Sequence, residues 1–381
     1  MTVQLWSSIG AIGAPTAVLD LDAADHNVAE MRRRASGTPI RVASKSIRVR
    51  GLIDRMLREP GYAGVLAYSA AEALWLARSG VDDVLIAYPT VDVETVKQVA
   101  ADSELAARIT FMADLPEHVR LLDSAGSAHP LRVCLDVDAS LPVGKALIGA
   151  HRSSVHGPGQ AAEFARATAR LNGVRLVGLM FYDAQVAGVQ DTNAAVRLLK
   201  RRSVAELAER REQLWRAVAS YASIEVVNAG GTGSLHLVGG SPVTEFAAGS
   251  GLFAPTLFDR YDGADLRPAA YFASPVVRKP RSDVAVTFSG GYAASGASGA
   301  SRAPRPVHPE GLRYFAQEGA GEVQTPLRGA AARELAVGDA VWFRHAKAGE
   351  MCERFDEILL VRGGSVVDRL PTYRGEGHNF G

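Results

Sequence analysis

The sequence predicts an α/β protein made of a (β/α)8 TIM-type barrel followed by a C-terminal antiparallel β domain. Length is the first reason: 381 residues exceed one ordinary core and match a barrel of about 250 residues plus a domain of about 100. The second is periodicity. From residue 16 to about residue 250, short runs rich in Val, Ile and Leu alternate with stretches at helical spacing, the pattern of parallel βαβ units. The third is a change after about residue 265 to strand-like runs with no helical period between them.

Eight runs are read as the barrel strands: TAVLDLD (16–22), IRVAS (40–44), GVLAYS (64–69), DVLIAY (83–88), RITFMA (108–113), LRVCLDV (131–137), VRLVGLMFY (174–182) and IEVVNA (224–229). An open doubly wound sheet is the alternative for the same alternation. Amphipathic stretches such as Ala70–Ser79 and Pro116–Ser124 lie between the runs, with turn signals such as SGVDD (79–83) at the joints. The stretch Asn193–Ser220 reads as one long helix whose charged residues form a solvated face with pairs such as Glu206 and Arg210. Beyond it, YFASPVVRKP, DVAVTFSGG, GEVQTPLRG, DAVWFRHA and FDEILLVRGGSVVDRLP read as strands, and the small-residue-rich segment 292–311 as a loop. The expected organisation is an N-terminal segment over 1–15 packing on the β domain, a barrel over 16–264 and a β domain over 265–381.

Charge excludes several classes of partner. With 42 Lys+Arg against 41 Asp+Glu, no global field draws the chain to nucleic acid or to an anionic membrane, so a small molecule is the expected partner. Cys134 and Cys352 form no CxxC pair, which argues against a disulfide framework or a structural zinc module and for a cytoplasmic setting. The N-terminal residues lack the basic start and apolar core of a signal peptide.

Barrel enzymes carry reactive groups just beyond the C-terminal ends of their strands. Lys45 stands there after IRVAS, and Arg41 and Arg48 are positive neighbours able to make its amine a better imine-forming nucleophile. The turn NAGGTGS (228–234) follows IEVVNA, and Gly231, Thr232, Gly233 and Ser234 supply converging N–H groups and hydroxyls for a phosphate; AAGSGLF (247–253) adds Gly249 and Ser250. Arg152 suits a ring edge or a carboxylate, and Tyr182 a stacking or hydrogen-bonding contact. HAKAGEMCE (345–353) gathers His345, Glu350 and Cys352 as metal-ligand types at a spacing that matches no standard signature.

RVASKSIR around Lys45, AYSAAEA (67–73), NAGGTGS, AAGSGLF and VRGGSVVD (361–368), with the TAVLDLD opening, together resemble the alanine-racemase-like, fold-type III pyridoxal phosphate enzymes, and within them the D-threonine aldolase and D-serine dehydratase branch. The resemblance implies that Lys45 is the Schiff-base lysine and that Arg152 faces the ring nitrogen. It implies a phosphate site at Gly231–Ser234 with Gly249 and Ser250, a site tyrosine at Tyr182, a divalent-metal ligand at His345 and a homodimer. The sequence departs from the branch at two places. Lys347 stands where a second metal ligand is expected, which leaves Glu350 or Cys352 for that role or the Lys347 charge in place of a metal; Gln185 stands where a histidine often follows the tyrosine. Gln185 is kept as a catalytic position, with Lys45 and Tyr182.

The resulting expectation is a lyase that cleaves a β-hydroxy-α-amino acid to glycine and an aldehyde. A dehydratase that uses Lys45 to remove the Cα proton is the second reading. A racemase, with Tyr292 or Tyr314 as second base, is the third, and a non-catalytic cofactor-binding barrel is the reading of a different class.

Overall fold

The computed structural model describes residues 12–380; residues 1–11, most of the expected N-terminal segment, and residue 381 lie outside it. The chain divides into two compact units. One takes the chain up to Glu30, Ser46–Asp54 and Ser250–Asn379; the other takes Met31–Lys45, Arg55–Gly249 and the last residues.

The second unit contains a closed parallel barrel. Its strands in chain order are β2 (Ile40–Ala43), β3 (Tyr62–Ala67), β4 (Val84–Pro89), β5 (Ile109–Ala113), β6 (Leu131–Val137), β9 (Val174–Phe181), β10 (Val226–Ala229) and β11 (Glu245–Ala248), with β11 closing on β2. The first of the eight expected strands is not among them. Thr16–Asp20, strand β1, pairs instead with β12 (Ala270–Arg281) and β18 (Glu357–Arg362) in the sheet of the other unit. Its apparent extension to residue 22 ends because the Asp20 carboxylate accepts the N–H groups of Asp22 and Ala23, which starts the helix α1 (Leu21–Ala35).

The strand missed in the sequence is β11. It is four residues long and opens on Glu245, so it does not read as an apolar run. The acid is tolerated because it faces Arg41, which is 2% exposed and donates to both Glu245 oxygens at 2.7 and 2.8 Å and to Asp83 at 2.7 Å. The Asn228 amide donates to the same carboxylate at 2.7 Å. Gly64 makes room for this cluster: it sits at φ +70°, and a Cβ there would lie 2.4 Å from the Arg41 Nη1 and 2.8 Å from Asp83. Above the charges, Ala43, Leu66, Leu85, Met112, Cys134, Met180 and Ala247 form an apolar layer, one residue from each of seven barrel strands.

Helices follow the strands where caps and periodicity place them. Ser69 accepts the Glu72 N–H to start α3 (Ala70–Arg78), the next helix after α2 (Arg50–Leu57), and Asn193 accepts the Val196 N–H to start the long helix Ala194–Ala219. That helix has the expected Glu206–Arg210 pair at 2.6 Å, and Arg201, Arg202 and Glu209 are exposed as expected, but the solvated face does not include all of its charges. Lys200, Arg210 and Arg211 are buried, the first paired with Asp191 at 2.8 Å and the second donating to the carbonyls of Asp138 and Ser140 at 2.8 and 3.0 Å.

The first unit holds a nine-stranded sheet of β1 with β12, β13 (Val284–Phe288), β14 (Arg305–His308), β15 (Arg313–Tyr314), β16 (Gln324–Arg328), β17 (Ala340–Arg344), β18 and β19 (Ser365–Pro371), antiparallel except where β1 meets β18. The expected runs supply β12, β13, β16, β17, β18 and β19. Val18, Tyr271, Ala273, Trp342, Leu359 and Val361 form one of its buried clusters, against which Ile12 and Ala14 pack. The segment read as a loop is partly ordered: Arg305–His308 pairs with β17, the Lys347 ammonium donates to Ser295 Oγ at 2.8 Å, and Glu350 accepts the Ser295 N–H. Among the described residues no helix is long and apolar enough to cross a membrane.

Candidate active site

Lys45 sits in the single 3-10 turn Ser44–Ser46 that leaves β2 at the C-terminal mouth of the barrel. Ser44 fixes the turn by donating its hydroxyl to the Leu66 carbonyl at 3.0 Å. The Lys45 Nζ donates to the Tyr88 hydroxyl at 2.5 Å and lies 5.9 Å from the centre of the Tyr182 ring. Tyr88 is near the end of β4 and Tyr182 follows β9, so three barrel strands converge on the amine. The Arg152 guanidinium is near enough to the Tyr88 hydroxyl to favour its ionised form.

The expected positive neighbours of Lys45 act elsewhere. Arg41 is neutralised inside the barrel by Glu245 and Asp83, and Arg48 pairs with Glu353 at 2.8 Å in the other unit. What faces the amine is a pair of phenols and the Arg152 guanidinium. Burial pushes the Tyr88 phenol upward, but the Lys45 charge and hydrogen bond and then Arg152 outweigh it, and the result is lower than an ordinary tyrosine. Tyr182, although 38% exposed, goes the other way, raised by partial loss of hydration, then by Asp183 and Tyr88. Asp136, near the end of β6, is pushed up to about 7 by burial and by Asp114 and Asp138, with Arg152 opposing.

The turn NAGGTGS follows β10, the seventh barrel strand in chain order, and Gly249 follows β11, the eighth. Barrel phosphate sites commonly lie after strands 7 and 8, where NAGGTGS and Gly249 stand. Arg34 anchors the turn by donating to the Thr232 carbonyl at 2.7 Å, and Ser234 Oγ accepts the Gly231 N–H at 3.1 Å. Space requires glycine here: a Cβ on Gly231 would lie 2.9 Å from that of Ala187, and Gly230 is at φ +74° with Val238 2.9 Å from its would-be Cβ. A close-packed glycine turn and an amine held by Tyr88, both at the C-terminal ends of barrel strands, fit a phosphate-bearing aldehyde cofactor. Ser250 opens the last segment of the other unit.

Asp183, next to Tyr182, was not singled out in the sequence. It is fully buried, and both carboxylate oxygens lack a hydrogen bond of good geometry, although the Ser234 hydroxyl is near enough to lower its pKa. Burial wins and holds the carboxyl at about 6. An acid raised from 3.8 to about 6 is fully tolerated below pH 3.8, loses stability as pH rises between the two values and costs the fold about 3 kcal/mol above pH 6. Asp183→Asn is therefore expected to raise stability in urea unfolding at pH 8 by up to about 3 kcal/mol and by about half as much at pH 5. An equal effect at both pH values would remove the buried charge from the account.

Gln185 is buried, and its amide donates to the Ala139 carbonyl at 2.7 Å and to Ser203 Oγ at 2.6 Å. Those bonds tie it into the protein around the end of β6 and the long helix. In the other unit, His345 is buried with its ring edge-on to Phe253 at 5.9 Å, and burial followed by the Arg344 charge lowers it to about 3, which leaves a neutral imidazole. Cys352 is buried and its thiol is pushed up to about 12. Glu350 and Lys347 are both engaged with Ser295. Among the described residues no three His, Cys, Asp or Glu side chains gather as a metal-binding group, while both ring nitrogens of His345 are buried without a hydrogen-bond partner. The two tyrosines considered as racemase bases are also committed: Tyr292 donates to Ser289 Oγ at 3.0 Å and Tyr314 to the Pro304 carbonyl at 2.6 Å.

Tyr88 and Asp136 are the site residues that sequence reasoning missed. Tyr88 closes the run DVLIAY, and the same end-of-strand rule that selected Lys45 selects it.

A parallel barrel with a lysine after its first strand, glycine turns after its last two and an antiparallel unit built from both chain ends defines a class of barrel enzymes. The chain belongs to the alanine racemase N-terminal domain family, whose model matches residues 19–253. It is similar to the 3-hydroxy-D-aspartate aldolase of Paracoccus denitrificans (strain Pd 1222), at 24% identity over 259 residues, 67% of this chain and 64% of that protein. The match thus spans a little under two thirds of that relative. In fold it is similar to D-threonine aldolase from Filomicrobium marinum, with a TM-score of 0.80, 23% identity and 96% of each chain covered. It is also similar to D-threo-3-hydroxyaspartate dehydratase from Delftia sp. HT23, with a TM-score of 0.74, 19% identity and coverage of 96% of this chain and 98% of that one.

Proposed function

We propose that the chain is a pyridoxal-phosphate-dependent lyase that cleaves a β-hydroxy-α-amino acid between Cα and Cβ, giving glycine and an aldehyde from D-threonine. The observation that carries this reading is the Lys45 amine at the barrel mouth, bonded to Tyr88 beside Arg152. Likeness to two aldolases and a dehydratase of β-hydroxy amino acids supports the substrate class. Bound pyridoxal phosphate supplies an aldehyde for covalent attachment and a ring that takes up the electron pair of a broken Cα bond.

The residues of this chain have separate tasks. Lys45 Nζ would hold the cofactor aldehyde, and it is the amine placed to take a Cα proton. Gly231, Thr232, Gly233, Ser234 and Gly249 bind the phosphate through backbone N–H groups and hydroxyls. Arg152 shares Tyr88 with Lys45 and supplies a fixed cation for the edge of the ring or the substrate carboxylate. Tyr182, kept as a phenol by its surroundings, presents its ring to the same space. No step is routed through a metal. A homodimer and a cytoplasmic setting belong to the same proposal.

A dehydratase is the second reading, favoured by Gln185. Its amide nitrogen is committed to Ala139 and Ser203 and takes no proton from a β-hydroxyl near neutral pH, whereas dehydration begins with Lys45 at the Cα proton and requires a proton donor, not an acceptor, at the departing β-hydroxyl. Offering D-threonine, D-serine and 3-hydroxy-D-aspartate to the cofactor-loaded protein, with and without chelator, decides between them. Aldehyde plus glycine is expected; keto acid plus ammonia selects the dehydratase, and no turnover of any of the three removes both.

A further inference from the structure

We propose that Tyr88 is the acid–base partner of Lys45, its oxygen taking a proton from the lysine ammonium to free a nucleophilic amine and returning it when that nitrogen must be protonated. The step is a closed exchange: an N–H bond of Lys45 breaks, an O–H bond of Tyr88 forms, and ammonium plus phenolate become amine plus phenol with no change in total charge. The proposal rests on the cofactor assignment above for its purpose, but not for its geometry.

Three observations converge on it. The Lys45 Nζ and the Tyr88 oxygen are 2.5 Å apart, the shortest end of hydrogen-bond distances, so a proton passes between them without movement of either chain segment. Tyr88 is carried on β4, Lys45 on the turn after the neighbouring but one strand β2, and both elements are rigid parts of the barrel. Arg152, on the loop that follows β8 (Ala146–Ile148), adds its charge near the same phenol, so a phenolate there is favoured by two cations.

The groups facing Tyr88 support a proton acceptor. From β2 comes Lys45, from the β8 loop Arg152, and from β9 Tyr182; Asp136 at the end of β6 interacts with Arg152. The two cations outweigh burial and favour the ionised form of Tyr88, while partial loss of hydration, Asp183 and Tyr88 itself hold Tyr182 in its neutral form. Two phenols in one site are thus driven apart, the pattern by which one becomes a base and the other stays a donor. Arg152 acts as a positioning residue for the phenolate.

The test uses the full chain and Tyr88→Phe, which keeps the ring and removes only the oxygen. In the cofactor-free protein, an ultraviolet difference titration should show one tyrosine ionising ahead of the others. That component should vanish in Tyr88→Phe and move to higher pH in Lys45→Ala. In the second arm, pyridoxal phosphate incorporation is followed by borohydride trapping. Tyr88→Phe should incorporate it about 10²-fold more slowly at pH 7, with the deficit shrinking as pH rises. A wild-type titration matching that of Tyr88→Phe, or incorporation with the same rate and pH profile, overturns the proposal. If wild type traps no cofactor at all, the cofactor assignment falls, and the titration alone then decides the Lys45–Tyr88 proton exchange.

Discussion

Lys45→Ala is expected to leave a folded, colourless protein whose turnover is lower by at least about 10³-fold, because the amine that holds the cofactor and takes the Cα proton is one group with two duties. Folding should survive. Lys45 is only partly buried, and its hydrogen bond to Tyr88 is worth about 1 kcal/mol in such a setting. The loss is therefore chemical and not structural, and the two are separable by experiment. Borohydride reduction of the wild type with pyridoxal phosphate should leave a stable label on the peptide that contains Lys45, and Lys45→Ala should carry none. Equal labelling of both proteins would move the attachment point to another lysine and with it the whole site.

Partial retention would also be informative. Cofactor held without a covalent bond, through Gly231–Ser234 and Gly249, should still be displaced by inorganic phosphate in Lys45→Ala. That displacement would isolate the contribution of the glycine turns from that of the amine.

How far this site could be read from sequence depends on which side chain faces what. Lys45, Tyr182 and the NAGGTGS turn were legible because they follow apolar runs, and a barrel puts the residue after each run at one mouth, whereas Gly249 and Ser250 were legible only from their Gly/Ser composition. The register of the runs was less legible. β1 looks like a barrel strand because Val18 and Leu19 are buried, but burial is the same whichever sheet a strand joins. β11 was hidden by Glu245, since a buried carboxylate breaks an apolar pattern and only its partner Arg41, 204 residues away, explains it. The same long-range pairing overturned the local reading of charge around Lys45: Arg41 is close in sequence but committed to acids within the barrel. Lys200 and Arg210 likewise looked solvated because their partners, Asp191 and the Asp138 and Ser140 carbonyls, are not visible from helical spacing.

The Arg41 cluster gives the other large expectation, this time on folding. Arg41→Met removes one partner of a buried ion pair and leaves Glu245, with only Asn228 to bond it, in the barrel interior. Such an uncompensated charge typically costs about 3–5 kcal/mol, and Asp83 limits the loss no further because it is half exposed and can be solvated. Pairing the change with Glu245→Gln removes the stranded charge, so the double variant should recover a large part of the stability, a coupling readable in a urea double-mutant cycle. Additive losses would show that Arg41 stabilises by packing alone. The effect should reach the site as well. Arg41 and Ala247 are register partners where β11 closes on β2, and those two strands lead into Lys45 and Gly249. A barrel loosened at this seam spreads the amine and the second glycine turn over more positions, so the single variant should bind pyridoxal phosphate more weakly even at temperatures where it stays folded, and the double variant should regain affinity in step with its stability.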